Sequence, residues 1–286
     1  MKPLVSILIP NYNKLGFIQE TFQSLLSQSY QNWECIVVDD HSDDGSFEYL
    51  ENLAQSEPRI NLYKRPDNLP KGGNICRNYA FEMSSGDLIQ WFDSDDIMLP
   101  NFLEDKVDFL KGNEDKLFVV SKVRIQFEED YKGEKKFKHS MESENPIPDY
   151  LSFKLLFLPG GPMFRRKVFE EVGLFNPSLK KHQEWELFFR AVLKYPDWGI
   201  IQKEGYIYQI NNDSITARMD QRDKLVEAEL HVIQTALGYH SNPQIALAPA
   251  NVRQSFLLKY LKFSLVHRKG SYAYWFLSEY LKELFR

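Results

Sequence analysis

The chain has little cysteine, no long apolar run and no excess of positive charge. Its 286 residues include two cysteines, Cys35 and Cys76, and no C-x-x-C pair, so we expect neither a disulfide framework nor a cysteine-based zinc site. Cys35 lies in an apolar run, where a small buried side chain is its expected role. No stretch approaches the ~18–20 apolar residues of a membrane-spanning helix. The net charge of -5 gives no reason to expect nucleic acid as a partner.

The first residues do not have the pattern of a signal peptide. The apolar core of Met1–Asn13 is short and reaches Pro10 early. Together with the missing span, this predicts a cytoplasmic protein, either soluble or peripheral at the inner face of the membrane. The length fits one large domain or one domain with an appendage.

Four short apolar runs alternate with amphipathic stretches in the first 95 or so residues. This alternation predicts parallel strands joined by helices, an α/β doubly wound sheet. Ligands of such sheets bind at the carboxyl ends of the strands. The predicted strands are Leu4–Pro10, Glu34–Asp40, Arg59–Arg65 and Asp87–Asp93.

Polar residues follow three of these strands, and the last group is an acidic cluster. Asp93, Asp95 and Asp96 are three carboxylates in four residues. Like charges repel and are costly to desolvate. Such a cluster can cap a helix, or it can hold Mg²⁺ or Mn²⁺ together with substrate phosphates.

Beyond residue 100 the pattern is less regular. Tyr131–Pro146 is polar and aperiodic, which predicts a mobile loop or a hairpin tip. A loop around Gly160 leads into a short helix, and after about Ala217 the pattern is mostly helical. The other predicted elements are a strand or strand pair over 117–130, a helix over 181–196, a strand or hairpin over 199–210, and helices over 223–238, 243–267 (broken near Pro249) and 271–286.

The C-terminal stretch is basic and aromatic. From Arg253 onward it contains seven Lys or Arg residues and two Glu residues, with seven interleaved Phe, Tyr or Trp residues up to Phe276. Two interpretations are open. The aromatic side chains pack on the rest of the chain or on a second subunit, or they contact an anionic membrane surface.

Four ordered segments of the sequence resemble the family-two inverting glycosyltransferases with the GT-A fold. The resemblance extends from about Lys2 to Thr216 and implies a mostly parallel central sheet flanked by helices. It divides the chain into a catalytic domain, 1–216, and a helical C-terminal extension, 217–286. Within the domain, 1–100 is the nucleotide-binding half and 101–216 the acceptor half. The matching segments are Val5–Ser46, Asn68–Phe81, Gly86–Pro100 and Gly160–Arg190.

The resemblance also implies a reaction. A sugar would move from a nucleotide-diphosphate sugar, with uridine as the default base by family frequency, to a hydroxyl of a glycan or lipid-linked saccharide. One displacement would invert the anomeric centre with the help of Mn²⁺ or Mg²⁺, in the synthesis of a surface glycan such as lipopolysaccharide or capsule. The alternatives are a catalytically silent nucleotide-sugar-binding or scaffold protein, and a nucleotidyltransferase, although no glycine- and arginine-rich phosphate loop opens the chain.

The family's motifs assign five residues to the donor pocket. Pro10, Tyr12 and Asn13 match the P-x-Y-N segment that lines the base, and Asp40 matches the acid that contacts the base. Arg77 matches a basic residue of the donor pocket.

Further acidic residues receive separate roles. The resemblance assigns Asp93 to the ribose and Asp95 to the metal, and Asp96 is left as a supporting or helix-capping residue. Glu184 matches the acidic position of the family's E-D motif, which here reads Gln183-Glu184. A carboxylate there can take the proton from the attacking hydroxyl. Glu186 is the rival, because the two glutamates point to different faces of a helix.

Several positions allow a functional and a structural interpretation. Gly160 and Gly161 are predicted to let the backbone approach the donor sugar, or they form a simple turn. Lys71 and His182 could touch phosphate or acceptor, but surface or structural roles are favoured. Asn211 stands where the family often has a histidine, so a third protein ligand for the metal is in doubt.

Overall fold

The computed structural model describes residues 2–131, 140–179, 182–210 and 250–284. Within these ranges the chain forms one mixed sheet with helices packed against it. The strands are β1 (Val5–Asn11), β2 (Trp33–Asp39), β3 (Ile60–Lys64), β4 (Leu88–Trp91), β5 (Ile97–Met98), β6 (Phe118–Phe127), β7 (Pro162–Arg165) and β8 (Gly199–Ile210). The helices are α1 (Leu15–Leu26), α2 (Ser46–Ser56), α3 (Gly73–Glu82), α4 (Phe102–Gly112), α5 (Pro146–Leu151), α6 (Lys167–Val172), α7 (Gln183–Lys194), α8 (Ala250–Val266) and α9 (Gly270–Leu284).

The first four strands form the predicted parallel half of the sheet, in the order β3-β2-β1-β4. The apolar side chains of β1, β2 and β4 are buried on both faces, which is why these strands appear in the sequence as continuous apolar runs. In the register, Asn11 at the end of β1 lies opposite Asp39 at the end of β2. The polar residues after these strands therefore meet at one edge, as the sequence predicts.

The second half of the sheet differs from the sequence-based expectation. We expected a loop leading directly into a helix after Gly161, but Pro162–Arg165 forms β7, which pairs antiparallel with both β4 and β6. A second strand that was not predicted, Ile97–Met98, pairs antiparallel with β8. Runs of four and two residues are too short to show a strand period, and β7 begins with proline, which weakens the signal further.

Other boundaries shift by a few residues. The helix expected to stop at Gly86 ends at Glu82, and 117–130 and 199–210 each contain one long strand, not a pair. The C-terminal end of the predicted polar loop begins α5 at Pro146, whereas 132–139 lie outside the described residues. So does the predicted helix 223–238.

The two C-terminal helices share a hydrophobic cluster with the sheet domain. Leu257, Tyr260 and Phe276 are buried in the cluster that also contains Trp185 of α7. The rings of Tyr260 and Phe276 stack with their centroids 5.9 Å apart. This supports packing as one role of the C-terminal aromatic side chains.

A helix that crosses a bilayer needs about 20 consecutive, mostly apolar residues. Within the part of the chain that the structure describes, every helix is too short or too polar to cross a bilayer.

Lys106 of α4 is fully buried beside the turn that precedes β7. Its Nζ donates to Gln90 Oε1 at 2.8 Å and to the carbonyl of Gly160 at 3.0 Å. The same Nζ lies 3.7 Å from the centroid of the Phe102 ring. These partners are all neutral, and burial lowers the pKa of Lys106 well below its ordinary value.

We expect Lys106→Met to change how stability depends on pH. At pH values between the lowered pKa of Lys106 in the folded state and the ordinary lysine pKa of about 10.4, the unfolded chain binds one more proton than the folded chain. The free energy of unfolding of the wild type should therefore rise with pH relative to the variant, by up to about 1.4 kcal/mol per pH unit. Urea unfolding at pH 7 and 9.5 measures this difference. Lys111→Met, on an exposed site of the same helix, serves as the control, and parallel pH curves for Lys106→Met and wild type would contradict the prediction.

Candidate active site

The edge of the sheet begins with a hydrogen-bonded junction between β1 and β2. Asn11 Nδ2 donates to Asp39 Oδ2 at 2.7 Å, and the backbone N and the hydroxyl of Ser42 donate to the same carboxylate at 2.8 and 2.6 Å. Asp39 is completely buried. It therefore ties the two strand ends together and does not face the solvent.

Asp40, the predicted base contact, holds the loop that follows β3. Arg65 Nε donates to its Oδ1 at 2.5 Å, and the backbone N of Gly72 donates to Oδ2 at 2.9 Å. Arg65 also donates to the carbonyls of Pro66 and Leu69. Both carboxylate oxygens thus have protein partners, and a base would have to use a remaining lone pair.

Tyr12 is the exposed member of the predicted base pocket. Its side chain is 43% exposed, and Lys71 Nζ lies 3.6 Å from the centroid of its ring. Asn13 has a left-handed φ of 50°. Its side-chain amide exchanges two hydrogen bonds with Asp43, in the loop that follows β2. Pro10 pairs with Val38 within the sheet.

Each of two carboxylates of the acidic cluster has its own cation. Arg77 from α3 donates to Asp93 Oδ1 at 2.6 Å, and Lys14 Nζ, directly before α1, lies 2.6 Å from Asp95 Oδ2. Burial raises the pKa of Asp95, and the ammonium of Lys14 opposes that shift. The repulsion between the clustered carboxylates is therefore reduced in part by two cations of the protein itself.

Asp96 and Ser94 connect the cluster to the neighbouring elements β8 and α1. Asp96 is fully buried, and its Oδ1 accepts from the backbone N of Gln209 at 3.1 Å. Burial and the neighbouring carboxylates raise the pKa of Asp96 well above its ordinary value. The carbonyl of Ser94 accepts from the hydroxyl of Thr21 at 3.1 Å. These bonds hold residues 92–96, which we call the acidic loop, between α1 and β8.

The two glutamates of α7 are in different environments. Glu186 is fully buried, and Arg190 donates to both its oxygens at 2.9 and 3.0 Å. Glu184 is half-buried and lies within the electrostatic reach of Arg77 and Asp93. Burial raises the pKa of Glu184, whereas Arg77 lowers it and Asp93 raises it further. The charges of Arg77 and Asp93 therefore act on Glu184, whereas Glu186 is paired with Arg190 in the interior.

Two asparagines of α3, to which sequence reasoning gave no role, bind the segment that follows α6. Asn74 Nδ2 donates to the carbonyls of Asn176 and Leu179 at 2.9 and 3.0 Å, and Asn78 exchanges two hydrogen bonds with the backbone of Phe175. These asparagines flank Arg77 on one helix face, at the i, i+3 and i+4 positions. That spacing in "NICRN" is the signal that could have found them.

Gly160 and Gly161 lie in the interior. A Cβ at Gly160 would come within 2.8 Å of the Tyr206 ring and 3.1 Å of the Phe92 ring, and the carbonyl of Leu158 accepts from the backbone N of Gly161 at 2.9 Å. Aromatic packing and a turn therefore account for both glycines, and their contact with a donor sugar stays a prediction. Asn211 lies outside the described residues.

The chemistry of the acidic cluster fits a hard divalent cation. Its donors are carboxylate oxygens, which Mg²⁺ and Mn²⁺ prefer. Asp96 Oδ2 is buried and has no hydrogen-bond partner within the described ranges. Within the same ranges, no group of three His, Cys, Asp or Glu side chains is placed to hold a metal ion by itself. A cation here would depend on Asp95 together with ligands from a substrate or water.

Comparisons with known proteins identify the family and the fold of the chain. The family model described as "Glycosyl transferase family 2" matches residues 6–173. A relative from Escherichia coli, UDP-Glc:alpha-D-GlcNAc-diphosphoundecaprenol beta-1,3-glucosyltransferase WfgD, is 40% identical over 111 residues, which cover 38% of this chain and 42% of the relative. Three further curated relatives are matched over between 38% and 44% of their own length. The chain therefore spans about two fifths of the length of these curated relatives.

Solved structures share the fold. S. aureus TarS 1-349 in complex with UDP superposes with a TM-score of 0.63 at 19% identity, over 92% of this chain and 73% of TarS 1-349. The mannosyltransferase PcManGT from Pyrobaculum calidifontis, in complex with GDP-Man and Mn²⁺, gives 0.57 at 17% identity, over 98% and 88%. The GT-A fold predicted from the motifs is confirmed. With more than half of its length matched by the family model, the chain belongs to glycosyl transferase family 2.

Proposed function

We propose that the chain is an inverting glycosyltransferase that moves a sugar from a nucleotide-diphosphate sugar to a hydroxyl of a glycan or lipid-linked acceptor. The observation that carries the proposal is the position of Arg77, which binds Asp93 and lies within electrostatic reach of Glu184. One cation thus links a carboxylate at the end of the parallel half to a carboxylate on α7. A single displacement needs a base and a donor-binding acid at the same site, and the shared cation supports this assignment of Glu184 and Asp93.

In the proposed reaction, Glu184 takes the proton of the acceptor hydroxyl. The acceptor oxygen forms a bond to the anomeric carbon as the bond from that carbon to the diphosphate oxygen breaks. The nucleoside diphosphate leaves with the electron pair, and the anomeric configuration inverts. The raised pKa of Glu184 supports this role, because it makes the carboxylate a stronger base than an exposed glutamate.

The edge of the sheet would hold the donor. Tyr12, with Pro10 and Asp40 beside it, would receive the base, Asp93 the ribose, and Asp95 the metal. When bound there, Mn²⁺ or Mg²⁺ would supply positive charge to the diphosphate as it departs. Asp95 alone provides few ligands, so the diphosphate itself would complete the coordination.

Acceptor-dependent release of nucleoside diphosphate tests the proposal. The full chain is incubated with UDP- and GDP-sugars, Mn²⁺ and undecaprenyl-diphosphate-linked saccharides. Release that requires acceptor supports transfer. Donor binding without release would favour the silent nucleotide-sugar-binding alternative. Formation of a nucleoside triphosphate and a sugar 1-phosphate when pyrophosphate is added to the donor would favour a nucleotidyltransferase.

A lipid-linked acceptor would bring the chain to the membrane. Leu265 and Val266 are exposed next to Arg268 at the turn between α8 and α9, and we propose that this turn contacts anionic lipid. Sedimentation with anionic and neutral liposomes tests the contact, and absence of binding to both would reject it.

A further inference from the structure

The ion pair between Lys14 and Asp95 places a cation at the carboxylate that the proposed function assigns to the metal. Lys14 Nζ lies 2.6 Å from Asp95 Oδ2, and the two side chains are 26% and 19% exposed. Lys14 also lies 5.5 Å from the centroid of the Phe17 ring. The ammonium therefore lies beside Asp95 at the start of α1, in a partly buried position.

The position of Lys14 is fixed by its backbone. Its carbonyl accepts from the backbone N of Phe17 and of Ile18, both at 2.9 Å, in the first turn of α1. One turn further along the chain, Thr21 holds the carbonyl of Ser94. Because this hydrogen bond joins α1 to the acidic loop, the backbone of Lys14 keeps a fixed position relative to Asp95.

An ammonium and a divalent cation compete for the same oxygen. Both are positive, and a dication near Asp95 would repel the charge of Lys14 at short range in a partly buried setting. A bound diphosphate changes this balance, since it brings negative charge that both cations can share. The lysine stem is long and flexible, so the ammonium can turn from the carboxylate to a phosphate oxygen without movement of the backbone.

We propose that Lys14 is the resident counter-ion of Asp95, which weakens metal binding in the donor-free protein and thereby makes metal and nucleotide bind cooperatively. The inference rests on the proposed function, because it takes Asp95 as the metal ligand. Lys14 is in this respect a positioning residue. By linkage, the factor by which the nucleotide improves Mn²⁺ binding equals the factor by which Mn²⁺ improves nucleotide binding.

The test is the affinity for Mn²⁺ of Lys14→Met, which keeps a long unbranched side chain and removes the charge. Free Mn²⁺ is followed by electron paramagnetic resonance, without nucleotide and with saturating UDP or GDP. We expect the variant to bind Mn²⁺ alone about five- to tenfold more tightly than the wild type. The improvement in Mn²⁺ affinity caused by the nucleotide should shrink by a similar factor, and Lys14→Arg should restore the behaviour of the wild type.

Asp95→Asn separates this inference from the proposed function. If Asp95→Asn weakens Mn²⁺ binding but Lys14→Met leaves it unchanged or weaker, the role of Lys14 is overturned and the metal role of Asp95 stands. If Asp95→Asn leaves Mn²⁺ binding unchanged, the metal role of Asp95 is overturned and the inference falls with it. Thermal unfolding of each variant verifies that the fold is intact.

Discussion

Glu184→Gln should lower kcat by about 10²–10⁴-fold, the usual contribution of a general base, and leave the KM for the donor nearly unchanged. Glutamine keeps the size and most hydrogen bonds of the side chain but cannot accept the proton of the acceptor hydroxyl. The melting temperature should not fall, because the substitution removes a carboxylate that burial already penalises. Steady-state kinetics and thermal unfolding measure the two effects.

Glu186→Gln is the matched control, two residues away on the same helix. Arg190 binds both oxygens of Glu186 and also donates to the carbonyls of Val172 and Leu174. Removal of one charge from such a buried pair costs about 3–5 kcal/mol of folding free energy. This variant should therefore melt at a lower temperature and keep its kcat wherever it is folded. A stable Glu186→Gln variant without activity, beside an active Glu184→Gln, would reverse the assignment.

The same assignment predicts the acid side of the pH–rate profile. Because the pKa of Glu184 is raised, kcat should increase with pH through a pKa above the ordinary ~4.3 of glutamate. That limb should be missing from the residual activity of Glu184→Gln. If the limb persists in the variant, another group acts as the base.

The parallel half of the fold was predictable because its signals are local. Each of the first four strands is a short apolar run followed by a helix, and parallel pairing then brings the ends of β1 and β2 to one edge. The acidic loop after β4 could be placed at this edge for the same reason. Pro162–Arg165 was missed because its existence as a strand depends on β4 and β6, which are distant in sequence.

The site itself was only partly predictable, because partners across the fold decide what each polar residue does. Asp40 and Asn13 match a donor-binding motif, yet both already have protein partners in Arg65, Gly72 and Asp43. Pattern alone could not show that Arg190 binds Glu186, which is the contact that favours Glu184 as the proposed base. Lys14 is likewise an ordinary surface lysine in the sequence, and only the packing of α1 brings it to the acidic loop.

Asp95→Asn should lower transfer by at least about 10²–10³-fold, which corresponds to loss of the several kcal/mol that a metal contributes to a departing diphosphate. Asparagine has the same shape but is a neutral and weaker ligand for a hard cation. The fold should hold, because the change removes one of three adjacent negative charges. Excess Mn²⁺ should restore part of the lost activity, and a titration of rate against Mn²⁺ measures this.

Asp93→Asn is the comparison that makes the prediction specific. Asp93 is bound by Arg77 and is assigned to the ribose, so its loss should raise the KM for the donor and leave the dependence on Mn²⁺ near that of the wild type. The two aspartates are two residues apart and carry the same charge, so a general electrostatic effect would give both variants the same response to Mn²⁺. Identical Mn²⁺ titrations, or full activity of Asp95→Asn, would therefore reject the metal role of Asp95. Different titrations would mean that the acidic loop holds two distinct functions, separated by Ser94.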